Sequence, residues 1–223
     1  MANYLVDASV LLPFVPAGTT LDLYNGNVYV SLVGFMFTNT RLLGIRIPFH
    51  VNFEEVNLRF YVRYNDGGVW KRGTVFIKEI VPRRAIGFIA NNLYQENYSS
   101  MPMKHFLRKT ASETRLGYHW KYKNKWNRLE AVVTGDAVSM ATGSSEEFIA
   151  EHYWGYSKYS DSRTVEYEVV HPPWNIFAVT EHVVDCDFAA LYGPAFSMLD
   201  DMEPASVFVA EGSAIRILHK RNL

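Results

Sequence analysis

The sequence has a single cysteine, Cys186, among its 223 residues, which excludes a disulfide within the chain. An isolated thiol is typical of proteins from a reducing compartment, so we expect a cytoplasmic location. The residues after Met1 lack the basic stretch and long apolar run that would indicate a signal peptide. No apolar stretch is long enough to cross a bilayer, so we expect a soluble protein without a membrane partner.

A surplus of charge of one sign is also lacking. The 22 Lys and Arg residues and 23 Asp and Glu residues give a formal net charge of −1, which would not attract nucleic acid or anionic lipid. The segment from Tyr118 to Trp126 combines lysines with aromatic rings, as surfaces for single-stranded nucleic acid do. Alternation along a strand would separate its rings from its bases, so we interpret it as an amphipathic hairpin. We expect no nucleic-acid partner.

Motifs for common chemistries are missing as well. There is no Gly-x-Ser-x-Gly elbow, no Walker pattern and no dinucleotide fingerprint. Cys186 lies between two aspartates, which would raise the pKa of its thiol and lower its reactivity. The seven histidines form no i, i+4 helical pair, although distant histidines could still converge in space. We expect neither a metal site nor a cofactor.

Aromatic residues, by contrast, are plentiful. They make up 15% of the chain, with 14 Tyr, 14 Phe and 5 Trp, and this favours strands and a ring-lined cavity over a helical bundle. The length suits one domain with a substantial core. Because no repeat or Pro/Gly/Ser linker divides the chain, we expect a single domain over residues 1–223.

Local patterns predict a strand-rich order. Phe53–Tyr64 alternates most clearly, and Asp66-Gly67-Gly68 turns it towards a partner strand at Val69–Val81. Other predicted elements are a hairpin over Asp22–Phe37 with its turn at Asn25-Gly26, a helix over Arg83–Tyr94, a hairpin over Leu116–Val133, a helix from the capping box Ser144/Glu147 to about Tyr153, and strands at Thr164–Val170, Phe177–Val183 and Ser206–Leu218, broken at Gly212-Ser213. This order predicts a mainly β fold, an antiparallel and partly closed barrel with two or three short helices.

Four polar residues, Glu55, Asn57, Arg59 and Tyr61, alternate along the clearest strand and form what we call the polar ladder. Residues two apart share a face, so the ladder would extend over roughly 20 Å. One interpretation is a solvated outer face. The partner strand, however, carries Lys78 and Glu79 inside an apolar run, where burial requires partners that Glu55 and Arg59 could supply. Such pairs could also serve only to fix the strand register.

Lys78 and the tetrapeptide at His171 are two further candidates for a functional role. A desolvated Lys78 beside another cation would have a lowered pKa and could form a Schiff base, although most strand lysines simply project into solvent. The tetrapeptide His171-Pro172-Pro173-Trp174 has a rigid backbone. It could terminate a strand, or it could present an imidazole at the rim of a cavity.

Several segments in order along the chain resemble the YqjF-like family of uncharacterised bacterial proteins (DUF2071). They are Tyr29–Phe35, Phe53–Val62, His152–Tyr156, His171–Trp174 and Ser206–Gly212. Members of that family often carry a further stretch before the equivalent of Met1, so the start is expected to be slightly clipped. The family is grouped with an acetoacetate decarboxylase-like superfamily. That resemblance implies a cone-shaped antiparallel barrel with a flanking sheet and a closed polar cavity, with the polar ladder inside.

The resemblance transfers function less directly. Decarboxylases of that superfamily use a lysine in a Gly-Phe-Pro-Lys-Lys-like segment, and the comparable stretch here, residues 97–104, lacks the paired lysines and offers only Lys104. A glutamate of those enzymes corresponds to Glu55 or Glu54. Without the second lysine, the neighbour that would lower the amine's pKa is missing.

Our leading hypothesis is therefore a binding protein for a small polar or anionic molecule, such as a carboxylate. Arg59 would hold the carboxylate, with Asn57, Glu55 and Tyr61 orienting it, and the mouth would be formed by His152, His171 and Trp174. One alternative is a lyase- or hydrolase-type enzyme acting on a keto acid or related carbonyl compound, with Glu55 as acid/base and Lys78 or Lys104 as the amine. Another is a structural protein without a ligand. The sequence leaves a homo-oligomer open.

Overall fold

In the computed structural model, residues 1–40, 51–83 and 97–223 are described. Their strands are β1 (Ala2–Val6), β2 (Thr19–Leu21), β3 (Val28–Phe37), β4 (Phe53–Asp66), β5 (Val69–Val81), β6 (Tyr98–Ser100), β7 (Met103–Lys109), β8 (Thr114–Tyr122), β9 (Lys125–Val133), β10 (Val138–Ser139), β11 (Trp154–Ser160), β12 (Arg163–Val170), β13 (Asn175–Asp185), β14 (Ser206–Ala210) and β15 (Arg216–Asn222). The helices are α1 (Ala8–Leu11), α2 (Ser145–Ala150) and α3 (Phe188–Tyr192), with 3-10 turns at Leu12–Phe14 and Pro194–Asp200. No helix of these residues is long and apolar enough to cross a membrane.

The strands form one 15-stranded sheet with the main order β15-β12-β11-β5-β4-β3-β1-β14-β13-β9-β8-β7. Most pairs are antiparallel, whereas β5 pairs in parallel with β6 and β11. Within the described residues the two end strands, β15 and β7, do not pair with each other. The predicted mainly β fold with a few short helices is confirmed. Over the residues that the structure describes, the sheet is mixed and is not closed by hydrogen bonds.

Local sequence signals account for several elements. The predicted strand at Phe53 is β4, and it turns into β5 through Gly67 and Gly68, whose φ values of 62° and 97° few other residues adopt. The side chain of Ser144 accepts a hydrogen bond from the Glu147 amide, so the predicted capping box opens α2, which ends at Ala150 rather than near Tyr153. The predicted helix over Arg83–Tyr94 lies almost wholly outside the described residues.

The predicted hairpin over Asp22–Phe37 is wrong, although its turn is correct. Asn25 and Gly26 have φ values of 50° and 81°, and the backbones of Tyr24 and Asn27 exchange two hydrogen bonds of 3.0 Å. The ladder ends there, because Val28 already pairs with Val6 of β1. β3 lies between β1 and β4, and its preceding strand β2 pairs with β4 instead.

Both faces of β4 are covered. Its central even-numbered side chains, from Val56 to Val62, are fully buried in the main apolar core, together with Trp120 of β8 and Leu191 of α3. On the opposite face Tyr61 packs beneath Phe148 of α2 in a second, smaller cluster. A strand buried on both sides loses its solvated face, which places the odd-numbered polar ladder inside the protein.

Candidate functional site

The polar ladder is buried. Glu55, Asn57 and Tyr61 each expose 1% of their surface, whereas Arg59 is partly exposed. The interpretation as a solvated outer face is therefore wrong, because α2 and its neighbours cover this side of the sheet. A buried row of polar side chains is costly unless each group finds a partner.

Glu55 finds its partners among side chains from three strands. Asn57 donates to its Oε1 at 2.9 Å, and the hydroxyl of Tyr98 on β6 donates to its Oε2 at 3.2 Å. Glu79 of β5, the register partner of Asn57, also hydrogen-bonds Glu55. Burial raises the pKa of Glu55 to about 7, although these hydrogen bonds and the charge of Arg59 oppose the shift. Near neutral pH this carboxyl group can therefore donate a proton as well as accept one.

Arg59 differs from the rest of the ladder because its hydrogen bond among the described residues goes to a sulfur atom and not to an oxygen or nitrogen. It makes no ion pair with any described residue; its Nη2 lies 3.4 Å from Met1 Sδ, and its guanidinium lies 5.7 Å from the Tyr61 ring centroid. Its Nε is buried without a hydrogen-bond partner in the described part of the chain, as is Oδ1 of Asn57, one position along the ladder. A donor and an acceptor are thus left open on the same face of β4.

Tyr61 begins a chain of hydrogen bonds that leads away from Arg59. Its hydroxyl lies 2.8 Å from Ser31 Oγ, which donates to Asn3 Oδ1 at 2.7 Å. Asn3 in turn donates to Ser206 Oγ at 3.1 Å. These groups lie on the adjoining strands β3, β1 and β14, so this end of the layer is held by internal contacts.

His152 covers the other side of Tyr61. The two rings stack with centroids 4.5 Å apart, and His152 Nε2 lies 3.4 Å from Asp22 Oδ2, which also accepts 2.6 Å from Arg72 Nε. Burial, reinforced by the nearby Arg72, lowers the pKa of His152 to about 4 against the pull of Asp22. The imidazole is therefore neutral near pH 7, and its buried Nδ1 has no partner among the described residues.

The structure does not bring the two candidate lysines to Glu55. Lys78 is the register partner of Leu58, so its side chain projects into the main core, opposite the polar ladder. There its Nζ donates to the carbonyl of Leu191, and burial lowers the pKa of the amine. The predicted pairing of Lys78 with Glu55 or Arg59 is wrong for this reason. Lys104 is exposed on β7 with its Nζ 4.6 Å from the Trp126 ring centroid.

His171 and Trp174 form a separate unit. Their rings stack at 4.2 Å, and His171 also stacks on Tyr153 at 4.8 Å. Trp174 Nε1 donates to Ser213 at 2.8 Å. Among the described residues no contact joins this stack to the polar ladder, so of the three residues predicted at the mouth only His152 reaches it.

Sequence patterns missed the partners that other strands supply. Asp22, Arg72 and Tyr98 carry no local signal that distinguishes them from surface residues, and only register brings them together. No group of three or more His, Cys, Asp or Glu side chains in the described ranges is arranged to hold a metal ion.

Comparison with solved structures defines the class of the fold. The enduracididine biosynthesis enzyme MppR with bound HEPES buffer superposes with a TM-score of 0.65 at 13% identity, over 100% of this chain and 84% of that one. MppR complexed with pyruvate gives 0.60 at 13% identity, over 98% and 86%. An acetoacetate decarboxylase-like enzyme from Sphingomonas wittichii RW1 gives 0.57 at 12% identity, over 99% and 86%. The chain therefore has the acetoacetate decarboxylase-like fold.

Sequence comparison then gives the family. The model of the DUF2071 family, described as uncharacterized conserved proteins, matches residues 1–214, and the chain belongs to this family. The uncharacterized protein YqjF of Bacillus subtilis strain 168 is 28% identical over 182 residues, which cover 78% of this chain and 69% of that protein.

Proposed function

We propose that this protein binds a small organic carboxylate, of the 2-oxo acid class, through Arg59. The observation that carries the proposal is the guanidinium itself, which is partly buried, makes no ion pair with a described residue and keeps an unpartnered Nε. A guanidinium presents parallel N–H donors that match the two oxygens of a carboxylate. In a site shielded from water, such a bond is stronger than at the surface.

The neighbours of Arg59 suit the remainder of a 2-oxo acid. Glu55, with a pKa of about 7, can donate a hydrogen bond to the keto oxygen while it is protonated. The Tyr61 ring, 5.7 Å from the guanidinium, forms a wall. MppR, which shares the fold, was solved in complex with pyruvate, and this supports pyruvate as the first ligand to test.

The test is calorimetric titration with pyruvate and with its uncharged amide. We expect pyruvate to bind and the amide to bind at least about 10-fold more weakly, because charge-assisted hydrogen bonds contribute about 1.5–3 kcal/mol. Arg59→Met should lose a similar factor. The matched control is Arg63→Met, since Arg63 lies on the same face of β4 but is exposed and packs on Trp70 at 4.5 Å.

Circular dichroism and thermal melting establish that each variant is folded before titration. Equal affinity of Arg59→Met and the unmodified protein for pyruvate would refute the proposal. Equal losses in the Arg59 and Arg63 variants would refute it too, because they would indicate a general effect of positive charge.

A second candidate is an enzyme that acts on a carbonyl compound through Lys78. The favouring observation is that burial in the main core lowers the pKa of this amine, which increases the fraction able to attack a carbonyl carbon. Attack with loss of water would form an imine, and borohydride would reduce it to a stable secondary amine. Mass spectrometry after borohydride treatment with pyruvate should then find the adduct on Lys78, absent in Lys78→Arg and retained in Lys104→Arg. No adduct on Lys78 would exclude this candidate.

A further inference from the structure

A separate hollow lies on the exposed face of four neighbouring strands, β7, β8, β9 and β13. Its volume is about 550 Å³, within the range of small-molecule sites. Alternation along β7 and β8 brings Lys104, Phe106, Arg108 and Arg115 onto this face. The hollow lies in a different part of the sheet from the polar ladder, so a ligand bound there would be independent of the proposed role of Arg59.

Gly117 shapes the floor of the hollow. It is the register partner of Phe106, and the Phe106 ring lies across it so closely that a Cβ at this position would be 2.5 Å from Phe106 Cε1 and 2.9 Å from Glu130 Cγ. The same ring and the His119 ring form a T-shaped pair with centroids 5.8 Å apart. An aromatic ring thus lies flat in the middle of a charged sheet surface.

Two arginines face each other at one end of this floor. Arg108 and Arg115 are register partners on β7 and β8, an arrangement in which like charges repel. The charge of Arg115 is balanced by Glu113, whose Oε1 lies 2.6 Å from Arg115 Nε. Arg108 has no ion pair or hydrogen bond with a described residue; its guanidinium lies 5.6 Å from the Phe106 ring centroid.

The carboxylates of the hollow do not relieve this repulsion fully. Glu130 is held by His119 at 2.7 Å. Glu181, the register partner of Val132, lies two strands from Arg115, on whose charge it acts, and three strands from Arg108. Lys104 adds a third cation without an ion pair in the described structure, above the Trp126 ring. In the part of the chain that the structure describes, no carboxylate pairs with Arg108 or Lys104, so this end of the hollow keeps an excess of positive charge.

We propose that this hollow binds a small phosphate monoester, with the phosphate between Arg108 and Arg115 and the organic part over Phe106. A phosphate monoester carries close to two negative charges and three terminal oxygens, so it can accept from both guanidiniums at once. A carboxylate has two oxygens and one negative charge, which a single guanidinium already balances in the bidentate arrangement. The number of facing donors therefore favours phosphate.

The test measures binding of phenyl phosphate, inorganic phosphate and benzoate by NMR titration of the full chain. Phenyl phosphate should bind most tightly and benzoate most weakly. Arg108→Gln and Arg115→Gln should each weaken phenyl phosphate binding by about 10-fold or more. Arg128→Gln is the control, because Arg128 lies on the same face but outside the lining of the hollow, where it pairs with Asp185 at 3.5 Å, and its effect should stay within about twofold.

Stability gives an independent readout. Without phosphate, Arg108→Gln should raise the melting temperature by about 1 to 3 °C, because it removes a like-charge pair. With phenyl phosphate added, the unmodified protein should have a higher melting temperature than Arg108→Gln. An unchanged or lower melting temperature in the variant would show that the two arginines are already compensated, and would overturn the proposal.

Three binding results would also overturn it. One is that no phenyl phosphate binds at millimolar concentration. Another is that Arg108→Gln binds it as tightly as the unmodified protein. The third is that a short single-stranded oligodeoxynucleotide binds more tightly than phenyl phosphate and loses this affinity in Arg108→Gln, which would make the hollow part of a strand-binding surface.

Discussion

At the scale of single residues, Glu55 in the polar ladder and His152, which stacks on it, respond to pH in opposite directions. Glu55 has a native pKa of about 7 against an ordinary value of 4.5, so between these values the native state holds a proton that the unfolded state has lost. His152 has a native pKa of about 4 against an ordinary value of 6.5. Between about pH 4 and pH 6.5 the unfolded state therefore holds a proton that the native state has lost. Rising pH therefore reduces stability through Glu55 and increases it through His152.

These two contributions should nearly cancel between about pH 4.5 and pH 6.5, and substitution should separate them. In His152→Gln the free energy of unfolding should fall as pH rises across this window. In Glu55→Gln/Glu79→Gln, which removes both members of the carboxyl pair, it should increase. One proton contributes at most about 1.4 kcal/mol per pH unit. Urea denaturation at several pH values measures both slopes, and identical slopes in the two variants would contradict the assignment.

At the scale of elements, tight crossings of rings and backbone set the spacing between neighbouring strands. Gly155 of β11 is the register partner of Tyr167 on β12, and a Cβ at position 155 would overlap the buried Tyr167 ring. A ring packed in the interior cannot move aside without displacing its neighbours. The pairing of β11 with β12 therefore requires glycine here.

We expect Gly155→Ala to lower the free energy of unfolding by about 1–3 kcal/mol, as overpacking usually does. The loss should shrink when the ring is removed first. In a double-mutant cycle, Gly155→Ala should lower the free energy of unfolding less in a Tyr167→Leu protein than in the unmodified protein. Equal costs in both backgrounds, measured by urea denaturation, would show that the Tyr167 ring is not the obstacle.

The same scale explains what could be predicted from sequence. Alternation, turn residues and capping boxes are local, so β4, β5, the β8–β9 hairpin and α2 were recognisable, and so was the polar ladder as one face of β4. β1 was not predicted, because it has only five residues and is a strand only through its pairing with β3 and β14. Its Asn3, together with Asp22 and Tyr98, joins the site only through strand register. The position of Lys78 depends on a bulge between β4 and β5 that no local pattern indicates.

At the scale of the whole molecule, a buried carboxylate stabilises one end of the long sheet. Glu166 of β12 exposes 1% of its surface. It accepts from Lys71 of β5 at 3.2 Å, from Arg221 of β15 at 2.7 Å and from the Tyr156 hydroxyl of β11 at 3.0 Å. Four strands therefore converge on one side chain, and β15, which ends the sheet on this side, is held there by Arg221.

Glu166→Gln should loosen this end before the rest of the sheet. The amide keeps the shape but removes the buried charge, so Lys71 and Arg221 keep only their ion pairs with Asp66, at 2.7 and 2.6 Å. Because Asp66 remains and Arg221 is half-exposed, we expect a cost of about 1–3 kcal/mol, less than the loss of a fully buried pair. Hydrogen exchange should quicken in β15 while β4 stays protected, because the loss is local. Asp161→Asn is the control, since its pair with Lys158 at 2.8 Å is exposed and is screened by water, so its loss should leave exchange unchanged. Equally faster exchange in β4 and β15 would show that Glu166 stabilises the sheet as one unit. The bond from Arg221 to Glu166 would then not be what holds the end strand β15 in place.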